Sequence, residues 1–213
     1  DDRGLRLLYA QMLLDEREFA GARALFEQML EAAPKEPDVL FALGVLSLQL
    51  EELAEARDYF TRLRDTGERP DDSAYYLGQV EELSENTETA VSWYRKVEGE
   101  HAVDAQVSIA RVRAQQGNVE RAQELLQQLR DQWPDDAVTL YLIEAEMLDD
   151  LHLSREAMAV YDAAVEAYPG NQDLLYSRGL HAVQLSQIEI LERDLKAILA
   201  QDPQHADALN ALG

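Results

Sequence analysis

The apolar positions of this chain recur at two nested periods. Locally they follow helical spacing, as in the stretch ALGVLSLQLEELAEARDYF at 42–60. Over the whole chain a longer motif returns: a small residue, an aromatic or Leu four positions later, and often a Pro about eight beyond that. It reads Ala22/Phe26/Pro34, Ala56/Phe60, Ala90/Tyr94, Ala122/Leu126/Pro134, Ala157/Tyr161/Pro169 and, with Leu at the anchor, Leu191/Leu195/Pro203; the anchors are 34, 34, 32, 35 and 34 residues apart. Upstream of each anchor lies a second apolar segment with a small residue at its middle: Ala10, Gly44, Gly78, Ala110, Ala145 and Gly179. The pattern predicts twelve helices in six pairs, no strand, and the start of a further helix at 206–213.

These positions have a direct packing meaning. A Gly or Ala on one helix lets its neighbour approach closely, and the Phe or Tyr one turn after the anchor fills the space between units. Pro follows the second helix because it cannot continue it and drives the preceding residue out of the α region. The third unit lacks this Pro and is two residues short. Its closing loop, Glu98 to Glu100, is expected to change geometry or flex, with Gly99 in a left-handed conformation ending the second helix.

A 34-residue helix–turn–helix with a small residue, an aromatic and a Pro at these offsets resembles the tetratricopeptide repeat, or TPR. The resemblance covers units 3–36, 37–70, 71–102, 103–136, 137–171 and 172–205, with 206–213 as a truncated seventh. It implies an all-α solenoid stacked as a right-handed superhelix. The fifth unit can be phased on Ile143 or one residue later, and its extra residue is expected in the turn Asp149 to Ser154. Because the chain opens on Leu5, Leu7, Leu8 and Tyr9 and stops at the small position Gly213, it reads as the interior of a longer array.

Charge narrows the partners. The chain carries 42 Asp+Glu against 19 Lys+Arg, a formal net charge of -23, and only three Lys. Nucleic acid and anionic lipid, which need clustered cations, are disfavoured. Unit by unit the charge runs -1, -3, -6, -2, -6 and -2, so basic partners are attracted most strongly at the third and fifth units. The absence of Cys excludes disulfides and thiolate chemistry and fits the bacterial envelope and the cytoplasm alike. No apolar stretch approaches the roughly 20 residues of a membrane span.

Candidate chemistry is sparse. No phosphate-binding Gly loop can be drawn through the dispersed glycines, so no cofactor is expected. Asp149, Asp150 and His152 are the most ligand-like cluster, but they fall in a turn where solvated polar residues are ordinary; no metal is expected. His101, His152, His181 and His205 are far apart in sequence. Asp71-Asp72 and Asp135-Asp136 precede helices, where carboxylates cap free amides. The chain is not expected to be an enzyme.

What remains is surface. In the resembled family the first helices line a concave groove, and its contact positions map onto a fifth position in each unit, Leu7, Phe41, Tyr75, Val107, Tyr141 and Tyr176. The ninth position is Gln11, Val45, Gln79, Arg111, Ala145 and Leu180. Helical spacing alone does not separate an exposed track from a widened core stripe. Six such side chains each gaining roughly 1 kcal/mol on being covered would only match the roughly 4–15 kcal/mol lost on association, so tight binding needs a second contact region, a longer array or a multivalent partner. Replacing Phe41 and Tyr75 with Ala is expected to weaken client binding while leaving melting nearly unchanged.

The Lys/Asn clamp of TPR co-chaperones is absent, since the matching pairs are Leu7/Gln11, Phe41/Val45 and Tyr75/Gln79. The Arg-rich usage, the degenerate repeats and the phrase DPQHADALNALG resemble bacterial envelope TPR lipoproteins that serve as adaptors for a periplasmic C-terminal processing protease. This implies a non-catalytic scaffold that hands clients such as cell-wall hydrolases to that protease, tethered to the outer membrane by a lipidated N-terminus outside the sequence. The alternative is a structural lipoprotein of an envelope assembly or secretion complex.

Overall fold

The computed structural model describes residues 2–212, and among them every regular element is helical. Gly213, on which the reading of a cut final repeat rests, lies outside the described residues. The chain divides into two compact units, 1–112 and 113–213, with the boundary inside α7. The first unit holds α1 (Asp2–Asp15), α2 (Phe19–Ala32), α3 (Pro37–Gln49), α4 (Leu53–Thr66), α5 (Pro70–Leu83), α6 (Thr87–Tyr94) and most of α7 (Ala102–Gln115). The second holds α8 (Val119–Gln132), α9 (Ala137–Asp150), α10 (Ser154–Ala167), α11 (Gln172–Gln184), α12 (Ile188–Gln201) and α13 (Ala206–Leu212). Within each unit α2, α4, α6, α10 and α12 pack on the odd-numbered helix before them, and α2, α4, α8, α10 and α12 on the one after, so contacts are local in sequence.

The turn inside each repeat is built one way six times. Arg17, Glu51, Glu85, Gly117, His152 and Ser186 all have φ between 59° and 84°, and each lies five residues before its anchor. After each comes an amide that reaches back across the helix end, as Glu52 N–H does to the Ser47 carbonyl at 2.8 Å and Leu153 N–H to Leu148 at 2.9 Å. This is the Schellman closure, which satisfies carbonyls a helix C-terminus otherwise leaves open. Only one of the six left-handed positions is glycine.

The small residues work within a repeat as well as between repeats. A Cβ built on Gly44 would sit 2.6 Å from Phe60, and one on Gly78 would sit 2.5 Å from Tyr94. Each glycine is thus the seat of the aromatic ring from the second helix of its own pair. The rings also reach onward, since Phe60 stacks on Tyr76 of the next unit at 5.1 Å.

Several expectations need correction. The extra residue of the fifth unit is not in the turn at 149–154, which matches the other turns in length. It lies between α8 and that turn: α9 has 14 residues after a four-residue link, where α3 and α11 have 13 after links of the same length, and a 3-10 turn at Pro134–Asp136 leads into it. Gly99 is not left-handed. It is small because Asp71 passes over it, 2.3 Å from where a Cβ would be, to accept the Glu98 N–H at 2.9 Å. Asp71 and Asp72 lie in the first turn of α5, after Pro70, and bind neighbouring residues rather than capping the helix; Asp136 makes no side-chain cap bond either. Asn171 does cap, accepting from Leu174 N–H at 3.0 Å.

Candidate protein-binding face

The first helices α1, α3, α5, α7, α9 and α11 carry the positions singled out from sequence, and burial divides those positions. Phe41, Val45, Tyr75, Gln79, Tyr141, Tyr176 and Leu7 are half-buried, and Gln11, Arg111 and Leu180 are exposed. Val107, at 6% exposure, and Ala145, at 0%, are interior residues and offer nothing to a partner. The lengthened α9 explains Ala145: counted back from the left-handed turn, the residues equivalent to Phe41 and Val45 are Leu142 and Glu146.

The half-buried rings are engaged by their own chain. Arg69 lies over the Phe41 ring at 3.7 Å, and His101 stacks on Tyr75 at 4.6 Å and 9°. In the second unit Tyr168 meets Tyr141 edge-on at 6.3 Å, and His205 is 6.4 Å from Tyr176. In each case the covering residue sits at the end of the same repeat, in the segment leading to the next first helix. Tyr76 bridges Phe41 and Tyr75, at 5.2 and 5.4 Å, so those two fifth-position rings belong to one aromatic chain. Burial raises the phenol pKa of both Tyr75 and Tyr76.

A ladder of charges runs along the same edge of the first unit. Arg69 binds Asp72 at 2.6 Å and reaches Asp38 at 3.4 Å; His101 Nε2 is 3.1 Å from Asp72, and its Nδ1 is 3.9 Å from Asp104. Sequence reading missed Arg69 and did not place His101, one of the four histidines it named, on this edge. Their near-constant offset from the fifth position, 28 and 26 residues, was the available clue.

Two charged groups, Glu144 and Arg178, were missed because they occupy apolar positions, and His181, named from the sequence, occupies another. Glu144 and Arg178 stand eight residues before their left-handed turns, where the second, third and fourth repeats have Leu43, Leu77 and Ile109 in the core. Glu144 pairs with Arg130 and accepts from Gln123 at 2.9 Å; Arg178 is bidentate to Asp194 at 2.7 and 2.8 Å and reaches Asp162 at 3.0 Å. The Asp194 and Asp162 carboxylates raise the Arg178 pKa against the lowering effect of burial. His181 is 3% exposed, with Nε2 2.7 Å from the Ser154 carbonyl. Its Nδ1 lies 2.8 Å from the Asp149 carboxylate without hydrogen-bond alignment. Asp149 also accepts from Ser154 Oγ at 3.0 Å, which ties it into this turn. Among the described residues, no three His, Asp or Glu side chains are grouped as metal ligands, and no helix is long and apolar enough to cross a membrane.

The repeat geometry has counterparts among known proteins. Residues 13–79 and 107–172 each match a tetratricopeptide repeat profile. The chain belongs to the tetratricopeptide repeat family. It is 34% identical over 144 residues to the TPR repeat-containing protein PA4667 of Pseudomonas aeruginosa, a match covering 67% of this chain and 24% of that relative. The chain therefore spans about a quarter of the relative's length. Among solved structures, a tetratricopeptide repeat protein from Parabacteroides merdae aligns at TM-score 0.66 and 16% identity, over 97% of this chain and 81% of its own. PilW, a widely conserved type IV pilus biogenesis factor, aligns at TM-score 0.65 and 14% identity over 99% and 98%. At such identities these structures establish the all-α TPR fold. TPR proteins are generally non-catalytic and bind proteins or peptides, so this array is a protein-interaction scaffold.

Proposed function

We propose that this TPR array is the client-binding part of a non-catalytic adaptor that brings protein substrates, such as cell-wall hydrolases, to a C-terminal processing protease in the bacterial periplasm. The intact protein is then tethered to the outer membrane by a lipidated N-terminus. The observation that carries the reading is that the first helices within each unit hold half-buried aromatic and aliphatic side chains, with carboxylates such as Asp38 and Asp72 near them in the first unit, on a strongly acidic chain. Such a face offers apolar anchors and steers basic clients toward them. The resemblance to envelope TPR lipoproteins supplies the protease and the compartment.

The test is affinity capture from bacterial envelope extract with the intact protein, followed by mass spectrometry. Recovery of a C-terminal processing protease together with cell-wall hydrolases is the expected result. Recovery of an assembly or secretion complex instead would replace the adaptor reading with a structural one.

A further inference from the structure

One core position of the first helices carries opposite charges in neighbouring repeats of the second unit. Glu144 on α9 and Arg178 on α11 both stand eight residues before their left-handed turns, and they are 3% and 8% exposed. In the second repeat the position is Leu43. It lies in one core with Leu30 of α2, the counterpart of Arg130, each of the two standing eight residues after its anchor. An apolar pair therefore suffices to bury this contact, and a buried ion pair is often no more stabilising than the apolar residues that could replace it. What charge adds at such a place is discrimination between partners.

The two contacts have opposite polarity. Where α9 meets α8, the first helix supplies the carboxylate: Glu144 pairs with Arg130 and accepts from Gln123 at 2.9 Å, and the Arg130 guanidinium lies 4.1 Å over the Tyr141 ring. Where α11 meets α10, the first helix supplies the cation: Arg178 reaches Asp162 at 3.0 Å and is held by Asp194 of α12. Exchanging the partners spoils both. Set on α10, Glu144 would meet Met158 and Val165 in place of Gln123 and Arg130, with Asp162 one turn before Val165 on the same face. Set on α8, Arg178 would meet Gln127 in place of Asp162, with Arg130 one turn further along, and Arg130 would face Leu175 in place of Tyr141. In the first arrangement the buried Glu144 loses its donors and gains a carboxylate; in the second the buried Arg130 loses Glu144 and gains a guanidinium. Both leave a buried charge uncompensated, which is strongly unfavourable.

We infer that Arg130, Glu144, Asp162 and Arg178 fix the order in which the repeats of the second unit stack, by admitting each first helix only onto the second helix that precedes it in the chain. Helix pairs built to one pattern offer a folding chain several neighbours of similar shape, and misassembly between them is a characteristic failure of repeat proteins. The device is independent of the adaptor role: it governs how the array recognises its own helices and needs no client.

Two variants of the full chain separate ordering from stability. Arg130→Glu/Glu144→Arg keeps an ion pair between α8 and α9 but gives it the polarity of the α10/α11 contact, so that α9 and α11 each fit either second helix. Arg130→Leu/Glu144→Leu copies Leu30 and Leu43. The apolar variant should keep or raise the parent's urea midpoint, and the exchanged pair should stay within about 0.5 M of it. Refolding by dilution from urea is followed by the fluorescence of Trp133, which lies in the link between α8 and α9. Both variants should show a slow phase at least three times larger in amplitude than the parent's, and a lower yield of native monomer by size exclusion. Proline isomerisation contributes equally to all three chains. Parental phases and yield in both variants overturn the inference. So does loss of folding in both, which would make the charges a requirement of stability rather than of order.

Discussion

Tyr75 lies flat against His101, their rings 4.6 Å apart and 9° from parallel, although one belongs to the middle of a helix and the other to the segment before the next. His101 also meets the Asp72 carboxylate from the first turn of α5 at 3.1 Å. The contact links α5 to the start of α7, and Arg69 on Phe41 does the same between α3 and α5. Phe41 and Tyr75 therefore hold successive repeats of the first unit together.

Phe41→Ala and Tyr75→Ala should each lower stability in urea unfolding, by about 1–3 kcal/mol, because each ring has packed neighbours to lose. This revises the expectation from sequence that melting would be nearly unchanged. A Tyr75/His101 double-mutant cycle should return a coupling of about 0.5–1.5 kcal/mol; additive effects would mean that the stack contributes nothing.

Gly78→Ala and Gly44→Ala should be among the most damaging single changes, costing about 1–3 kcal/mol or more. The added methyl would collide with Tyr94 or Phe60, both fully buried rings. Gly4→Ala, in the helix α1 with nothing within 4 Å of the new Cβ, should instead stabilise by up to about 1 kcal/mol. Thermal melts of the three variants decide it.

The five non-glycine residues in left-handed turns store removable strain. Glu51→Gly or Glu85→Gly should raise stability by about 0.5 kcal/mol, the left-handed penalty of roughly 1–2 kcal/mol being partly offset by the entropy glycine loses on folding. Gly117→Ala, at the equivalent position with φ 84°, should lower it by about 1 kcal/mol. A loss of melting temperature in both Glu→Gly variants would contradict the shared turn geometry.

Acid should release one buried carboxylate. Burial pushes the Glu81 pKa up, but hydrogen bonds from Arg57 at 2.7 Å and Asn86 at 2.8 Å outweigh it and hold the pKa below the usual carboxylate value. With the folded pKa below the unfolded one, the stabilisation is complete above the unfolded value, about 4.5, and is lost as pH falls through the folded value. The stability gap between the parent chain and Glu81→Gln, about 1–3 kcal/mol near neutral pH, should narrow on acidification below about pH 5. A gap independent of pH would mean that the Glu81 charge contributes nothing.

The sequence by itself determined the repeat, its helix pairs and its core anchors: Ala22, Ala56, Ala90, Ala122 and Ala157 recur because each lies where two helices touch, and all are fully buried. A periodic contact imposes a periodic residue, and that is readable without coordinates. Only the tertiary structure decided which side chains meet across repeats. Glu144 and Arg178 break the apolar pattern at a core position, and they are tolerated because Arg130 and Asp194, from neighbouring second helices, supply opposite charge there. The fate of the candidate face was decided the same way. Phe41, Tyr75 and Val107 hold one position in the repeat, yet their exposure depends on whether the segment entering the next repeat brings a ring or a guanidinium over them and on how closely the neighbouring helices pack, and neither is encoded within the helix that carries them.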